Sequence, residues 1–255
     1  MSNPSRRFRA VAVAVAICCV LGVLVATPVL ASSTLLRDHL ADLAAAETRA
    51  QRDASVAEAP ALDIGAISGL RLDPDWILAT AQATDIPQRA LSAYAAASLA
   101  IQHDYPNCNL SWHTLAAIGY VETRHGTIYG SHLGDDGVVT PALTGPALDG
   151  EQFKGIPDTD QGVLDGDSTW DRAVGPMQFI PQTWQIYGRD GNGDGTADPQ
   201  HIDDAALAAA ALLCARGGDL ARKEHWIRAV HAYNQSIEYN HQVVDAVNRY
   251  ANAAQ

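Results

Sequence analysis

Two groups of residues in this chain have types and spacings that suit chemistry. The first centres on Glu122 in "SWHTLAAIGYVETRHG". Leu115, Ile118 and Glu122 stand at i, i+3 and i+7, so on a helix they share one face. The apolar stripe meant for a core therefore ends in a carboxylate. A carboxyl group drawn out of water keeps its proton to higher pH unless a cation or several donors hold it ionised. That environment makes a general acid usable near neutral pH. The alternative is an acid that turns aside to pair with Arg124 or Arg172. The second group lies in "YGRDGNGDGTADPQHIDDA", where Asp190, Asn192, Asp194 and Asp198 alternate around Gly195. Counted from Asp190, oxygen donors fall at positions 1, 3, 5, 7 (the Thr196 carbonyl) and 9, the spacing of a calcium loop. Position 12, which such a loop gives to a bidentate Glu, is His201. The same residues also make an ordinary turn without metal.

The elements that must position these groups are helical. Asp73 and Pro74 open a helix in "LDPDWILATAQATD", and "IPQRALSAYAAASLAIQHD" reads as a second. Ser111 is the N-cap of the Glu122 helix, and Gly126 suits its end. Residues 131–172 lose periodicity and are rich in Gly, Pro and Asp. That is too long for an ordinary connection and predicts a functional loop. Helical pattern resumes in "PQTWQIYG", "DDAALAAAALLCARGG", "HWIRAVHAYNQ" and "YNHQVVDAVNRYANAA". The expected architecture is mainly α, one domain over 71–255, with a long irregular loop and an EF-hand-like calcium loop.

Residues 1–31 read as an export signal: Arg6, Arg7 and Arg9 precede an apolar run, and "PVLASS" offers cleavage after Ala31. The uncharged stretch is also about long enough to remain as a membrane anchor. Residues 32–70 read as an Ala-rich helical spacer. Removing the signal takes away three arginines and no acid, so the formal charge falls from −12 to about −15. Such a domain is a poor partner for nucleic acid. After export Cys108 and Cys214 remain, suggesting one disulfide in an oxidising compartment, with two buried thiols as the alternative.

Three short segments carry a family resemblance. "YVETRHG" resembles the Glu-Ser/Thr signature at a helix end in lysozyme-like transglycosylases. "AVGPMQFIPQTW" resembles the Gly-x-Met/x-Gln-Phe-x-Pro segment that follows it there, and "AYNQSIEY" the third, an Ala-Tyr-Asn. With the EF-hand-like loop between the second and third, the chain resembles the MltB-like branch of lytic murein transglycosylases, in the shape of actinobacterial members. The resemblance implies a lysozyme-like fold and an exported enzyme acting on peptidoglycan glycan strands. It makes Glu122 the catalytic acid, followed by Thr123, and puts Gly175, Met177, Gln178 and Phe179 in the cleft. Gln178 would bond sugar groups, and Gly175 would let backbone approach the chain. Tyr233 and Asn234 would form the segment whose Tyr contacts Glu122, with Tyr239 a weaker candidate for the cleft wall. It also implies a longer cation loop closed by Asp204, with Asp203 a substitute ligand or helix cap, and a structural calcium ion held by Asp190, Asn192, Asp194, Thr196, Asp198 and Asp204.

Two other readings share this sequence. An acid of the long loop (Asp135, Asp136, Asp149, Asp158, Asp160, Asp165, Asp167 or Asp171) could be a second catalytic carboxylate, giving a hydrolytic muramidase. Alternatively, the fold could serve as a non-catalytic, calcium-stabilised wall binder. The sequence contains neither His-Glu-x-x-His nor Gly-x-Ser-x-Gly, so zinc and serine hydrolysis have no support.

Overall fold

The Asp73 carboxylate accepts from the N–H groups of Asp75 (2.9 Å) and Trp76 (3.4 Å), and Pro74 fills the first helical position. Helix α1, Pro74–Thr84, starts there in the computed structural model, which describes residues 72–151 and 154–254. The chain divides into two units, Met1–Glu58 and Ala59–Gln255. All described residues belong to the second. The export signal or anchor and the spacer lie outside the described residues. No described helix is long and apolar enough to cross a membrane.

Six further helices follow: α2 (Gln88–Asp104), α3 (Trp112–Thr123), α4 (Pro181–Tyr187), α5 (Ile202–Gly217), α6 (Lys223–Tyr233) and α7 (Ile237–Ala253). Ser111 caps α3 as expected, its Oγ accepting from the His113 N–H at 3.3 Å. The centre of the domain is α5. Its run Ala205–Ala211 is at most 1% exposed, and these small side chains let α2 and α6 lie close on either side. Helix α3 packs against α2 and α7. Leu115 and Ile118 are fully buried, so the stripe ending in Glu122 does enter the core.

Cys108, in the α2–α3 connection, is disulfide-bonded to Cys214 in the last turns of α5. The two lie 106 residues apart, and on a chain-entropy account a loop that long contributes about 4–5 kcal/mol.

The 131–172 segment is more ordered than its composition suggested. Strands β1 (His132–Leu133) and β2 (Val139–Thr140) pair antiparallel, as do β3 (Thr144–Ala147) and β4 (Arg172–Val174). Its aspartates make the turns. Asp136, Asp149, Asp158, Asp160, Asp165, Asp167 and Asp171 each accept backbone N–H groups nearby. Carboxylate oxygens replace strand partners here, which is why no periodicity shows.

Candidate active site

The end of α3 sets the site. Glu122 stands in its last turn, half-buried, and Tyr239 donates its hydroxyl proton to Glu122 Oε1 at 2.7 Å. Tyr239 is placed by the first turn of α7, where Ser236 caps the helix by accepting from the Tyr239 N–H at 3.3 Å. Loss of hydration pushes the Glu122 carboxyl up to about 8, and the Tyr239 hydrogen bond, which favours the ionised form, only partly offsets this. Neither cation that the sequence offered as a partner binds it. Arg124 donates to the Tyr120 hydroxyl, and Arg172 pairs with Asp167 at 2.8 Å. Burial, and then the proximity of the Glu122 charge, raise both Tyr233 and Tyr239 well above the usual phenol range.

Behind Glu122 lies a tight hairpin. Val174 and Phe179 exchange backbone hydrogen bonds at 2.8 and 3.0 Å, and the Gln178 N–H reaches the Gly175 carbonyl at 3.1 Å. Gln178 takes φ +50° at the turn, and its half-buried amide donates to the same carbonyl at 2.9 Å. Thr123 Oγ1 donates to the Pro176 carbonyl at 2.6 Å and accepts from the Gly126 N–H at 2.8 Å, tying the end of α3 to this hairpin. The Tyr233 hydroxyl closes the ring by donating to the Met177 carbonyl at 2.8 Å.

The cation-loop candidates form a separate structure beside the hairpin. Asp190 accepts from the N–H groups of Gly193, Asp194 and Gly195. Asp204, fully buried in the first turn of α5, gathers those of Gly191, Asn192 and Asp198. The donors are hard oxygens at calcium-loop spacing, so the residues fit the ion chemically. Their carboxylates are engaged with backbone N–H groups. Among the described residues, the only three acids whose oxygens lie within 4.8 Å of one another are Asp158, Asp160 and Asp171, in the other loop. His201, at the twelfth position, instead caps α5 by accepting from the Asp203 N–H, and its Nε2 lies 2.9 Å from the Asp136 carbonyl oxygen. Asp203 forms a bidentate pair with Arg89 at 2.6 and 2.7 Å rather than capping the helix.

Residues 78–254 match the protein family described as transglycosylase SLT domain. The chain belongs to that family. It is a lytic transglycosylase, an enzyme class that acts on peptidoglycan. Among solved structures it is similar to the crystal structure of SltB3 from Pseudomonas aeruginosa in complex with NAG-anhNAM-pentapeptide. The two are 15% identical, with 84% of this chain and 80% of that chain covered and a TM-score of 0.41. No curated protein matches the chain.

In this transglycosylase several of the expected site residues make contacts within the fold. The hydroxyl on Glu122 belongs to Tyr239, which the sequence offered only for the cleft wall, whereas the Tyr233 hydroxyl bonds the hairpin. Thr123 and Met177 are fully buried and Phe179 is 3% exposed, so their side chains cannot reach a sugar. Phe179 packs edge-on against Trp184 and Tyr233, with ring centroids 5.3 and 5.8 Å away. Gly175 has no room for a side chain. A Cβ there would lie 1.7 Å from the Pro199 carbonyl oxygen, where the cation-like loop ends against the hairpin. Asn234 is exposed and accepts from the Ser236 N–H at 2.9 Å, shaping the α6–α7 turn. Of the hairpin side chains expected in the cleft, Gln178 alone keeps an open face. Sequence reasoning missed Tyr94 and His125, whose only signal was a polar residue inside helical pattern and a lone His in "ETRHG".

Because the Tyr239 hydroxyl favours ionised Glu122, Tyr239→Phe should move the alkaline limb of the kcat–pH profile to higher pH. Losing a hydrogen bond to a charged group should also lower kcat roughly tenfold to a hundredfold. A profile identical to wild type would show that the bond does not act on the reacting form.

Proposed function

We propose that this lytic transglycosylase cleaves the β-1,4 bond between N-acetylmuramic acid and N-acetylglucosamine with Glu122 as its single catalytic acid and base. The observation that carries this reading is a half-buried carboxyl whose lost hydration pushes its pKa up, with one phenol donor and, among the described residues, no cation paired with it. Glu122 gives its proton to the glycosidic oxygen as the C1–O bond breaks, and the bonding pair leaves with that oxygen. The carboxylate, now stabilised by Tyr239, takes the proton of the sugar's own 6-hydroxyl as that oxygen bonds to C1. The product is a 1,6-anhydromuramoyl end, and no water is consumed. One carboxylate suffices because the nucleophile comes from the substrate, whereas most glycosidases need a second acid. In the long loop, the aspartates engaged as turn makers fit this economy.

Gln178, half-buried at the turn of the hairpin, is the polar side chain that would bond sugar groups. A peptidoglycan substrate and the export-like first 31 residues support a location outside the cytoplasm, with the protein secreted or anchored. Calcium would be held by Asp190, Asn192, Asp194, Asp198 and Asp204 with the Thr196 carbonyl, and would serve as a structural charge in the loop that abuts Gly175.

Glu122→Gln preserves shape and removes the acid, so cleavage of purified peptidoglycan should fall at least about a hundredfold. Mass spectrometry of the wild-type digest should show muropeptides lacking one water. Hydrated reducing ends would identify a hydrolase instead, and an active Gln variant would remove Glu122 from the chemistry.

Calcium that binds only the folded chain should raise its melting temperature in proportion to the logarithm of the ion concentration, and chelator should reverse the rise. A melting curve indifferent to both would mean that the loop is an ordinary hydrogen-bonded turn.

A further inference from the structure

His125 lies three residues beyond Glu122 and is 4% exposed. It is not in the reaction described above, yet it is held on both sides. Its Nδ1 is 3.1 Å from the Tyr94 hydroxyl of α2, and its Nε2 is 3.0 Å from the Tyr250 hydroxyl of α7. The backbone there is costly. Arg124, His125 and Gly126 take φ values of +51°, +63° and +84° in succession, and the first two are not glycine. Such a run persists only where its surroundings determine it. It turns the chain back so that the His125 N–H reaches the Gly119 carbonyl at 2.9 Å, inside the last turns of α3. Tyr94 bears on the same turn, since a Cβ on Gly119 would lie 2.1 Å from its hydroxyl oxygen.

We infer that His125 is a positioning residue for Glu122: clamped between Tyr94 and Tyr250, it fixes the left-handed end of α3 and so the place of the carboxyl against Tyr239. This rests on the catalytic reading of Glu122. The clamp joins three helices at one ring. With Tyr94, fully buried, donating to Nδ1, and Nε2–H donating to the Tyr250 oxygen, both ring nitrogens are satisfied. That oxygen also accepts from Arg249 at 3.0 Å. Its surroundings keep the ring neutral. The groups facing it are Tyr94, Tyr120, Tyr250 and the guanidinium groups of Arg124 and Arg249. Burial, then Arg249 and Arg124, push its pKa down to about 3, so the clamp does not titrate where the enzyme works.

The test compares His125→Phe, His125→Gln and Tyr250→Phe with wild type, using soluble glycan strands from purified peptidoglycan and NMR titration of the Glu122 carboxyl. The Phe ring keeps bulk and loses both hydrogen bonds. It should lower kcat about tenfold or more, leave KM within about twofold, and move the Glu122 titration downward as the carboxyl gains water. The Gln amide, with one donor and one acceptor, should recover part of both effects. Tyr250→Phe keeps the imidazole and the Tyr94 bond, removes the Nε2 bond together with the Arg249 contact, and should show a smaller change in the same direction, so the test survives if His125→Phe fails to fold. Wild-type kcat and an unshifted Glu122 titration in the folded variants, even with a lower melting temperature, would overturn the inference. The titration is independent of catalysis. If Glu122→Gln stays active while the titration shifts, the catalytic reading fails and the positioning role stands.

Discussion

A carboxyl group forced partly out of water at the end of an apolar helix face is the constraint on which this site depends. Leu115 and Ile118 must be buried for α3 to pack, and the helical repeat then carries Glu122 to the rim of the same surface. Burial raises the carboxyl's affinity for its proton, and the single phenol of Tyr239 tempers that rise without reversing it. Around this pair the remaining parts are braces. Thr123 ties the helix end to Pro176, Tyr233 ties α6 to Met177, and the Pro199 carbonyl presses against Gly175.

The same constraint has a cost in stability, and its sign follows from the shift. The folded state holds the Glu122 proton to about 8, above the ordinary carboxylate value of the unfolded chain. Its contribution to stability is therefore complete below the unfolded value near 4.5 and is lost as pH rises toward 8. The site is maintained against this loss by the disulfide, by α5 and by the clamp on the end of α3.

Much of this was legible in the sequence. The helix starts at Asp73 and Ser111 and the Glu122 face follow from local rules, because capping and periodicity are local signals, and of the two readings left open for Cys108 and Cys214 the structure has the disulfide. The side-chain destinations of Met177, Phe179 and Thr123 were not legible, since burial depends on which elements close over a hairpin. That Tyr239 rather than Tyr233 bonds Glu122 depends on how α7 packs against α3, which no short motif specifies. The order within 131–172 was hidden because aspartate side chains, rather than alternating apolar residues, form its turns. His125 looked like a lone histidine, and only the meeting of α2, α3 and α7 shows what holds it.

Catalysis by Glu122 depends on its protonation in the free enzyme. Carboxyl-carbon NMR of selectively labelled protein, with Glu122→Gln to assign the signal, measures it without reference to substrate. The structure predicts a midpoint near 8. A midpoint between about 4 and 5, the range of solvated carboxyl groups, would mean that Glu122 is ionised at neutral pH and cannot be the proton donor.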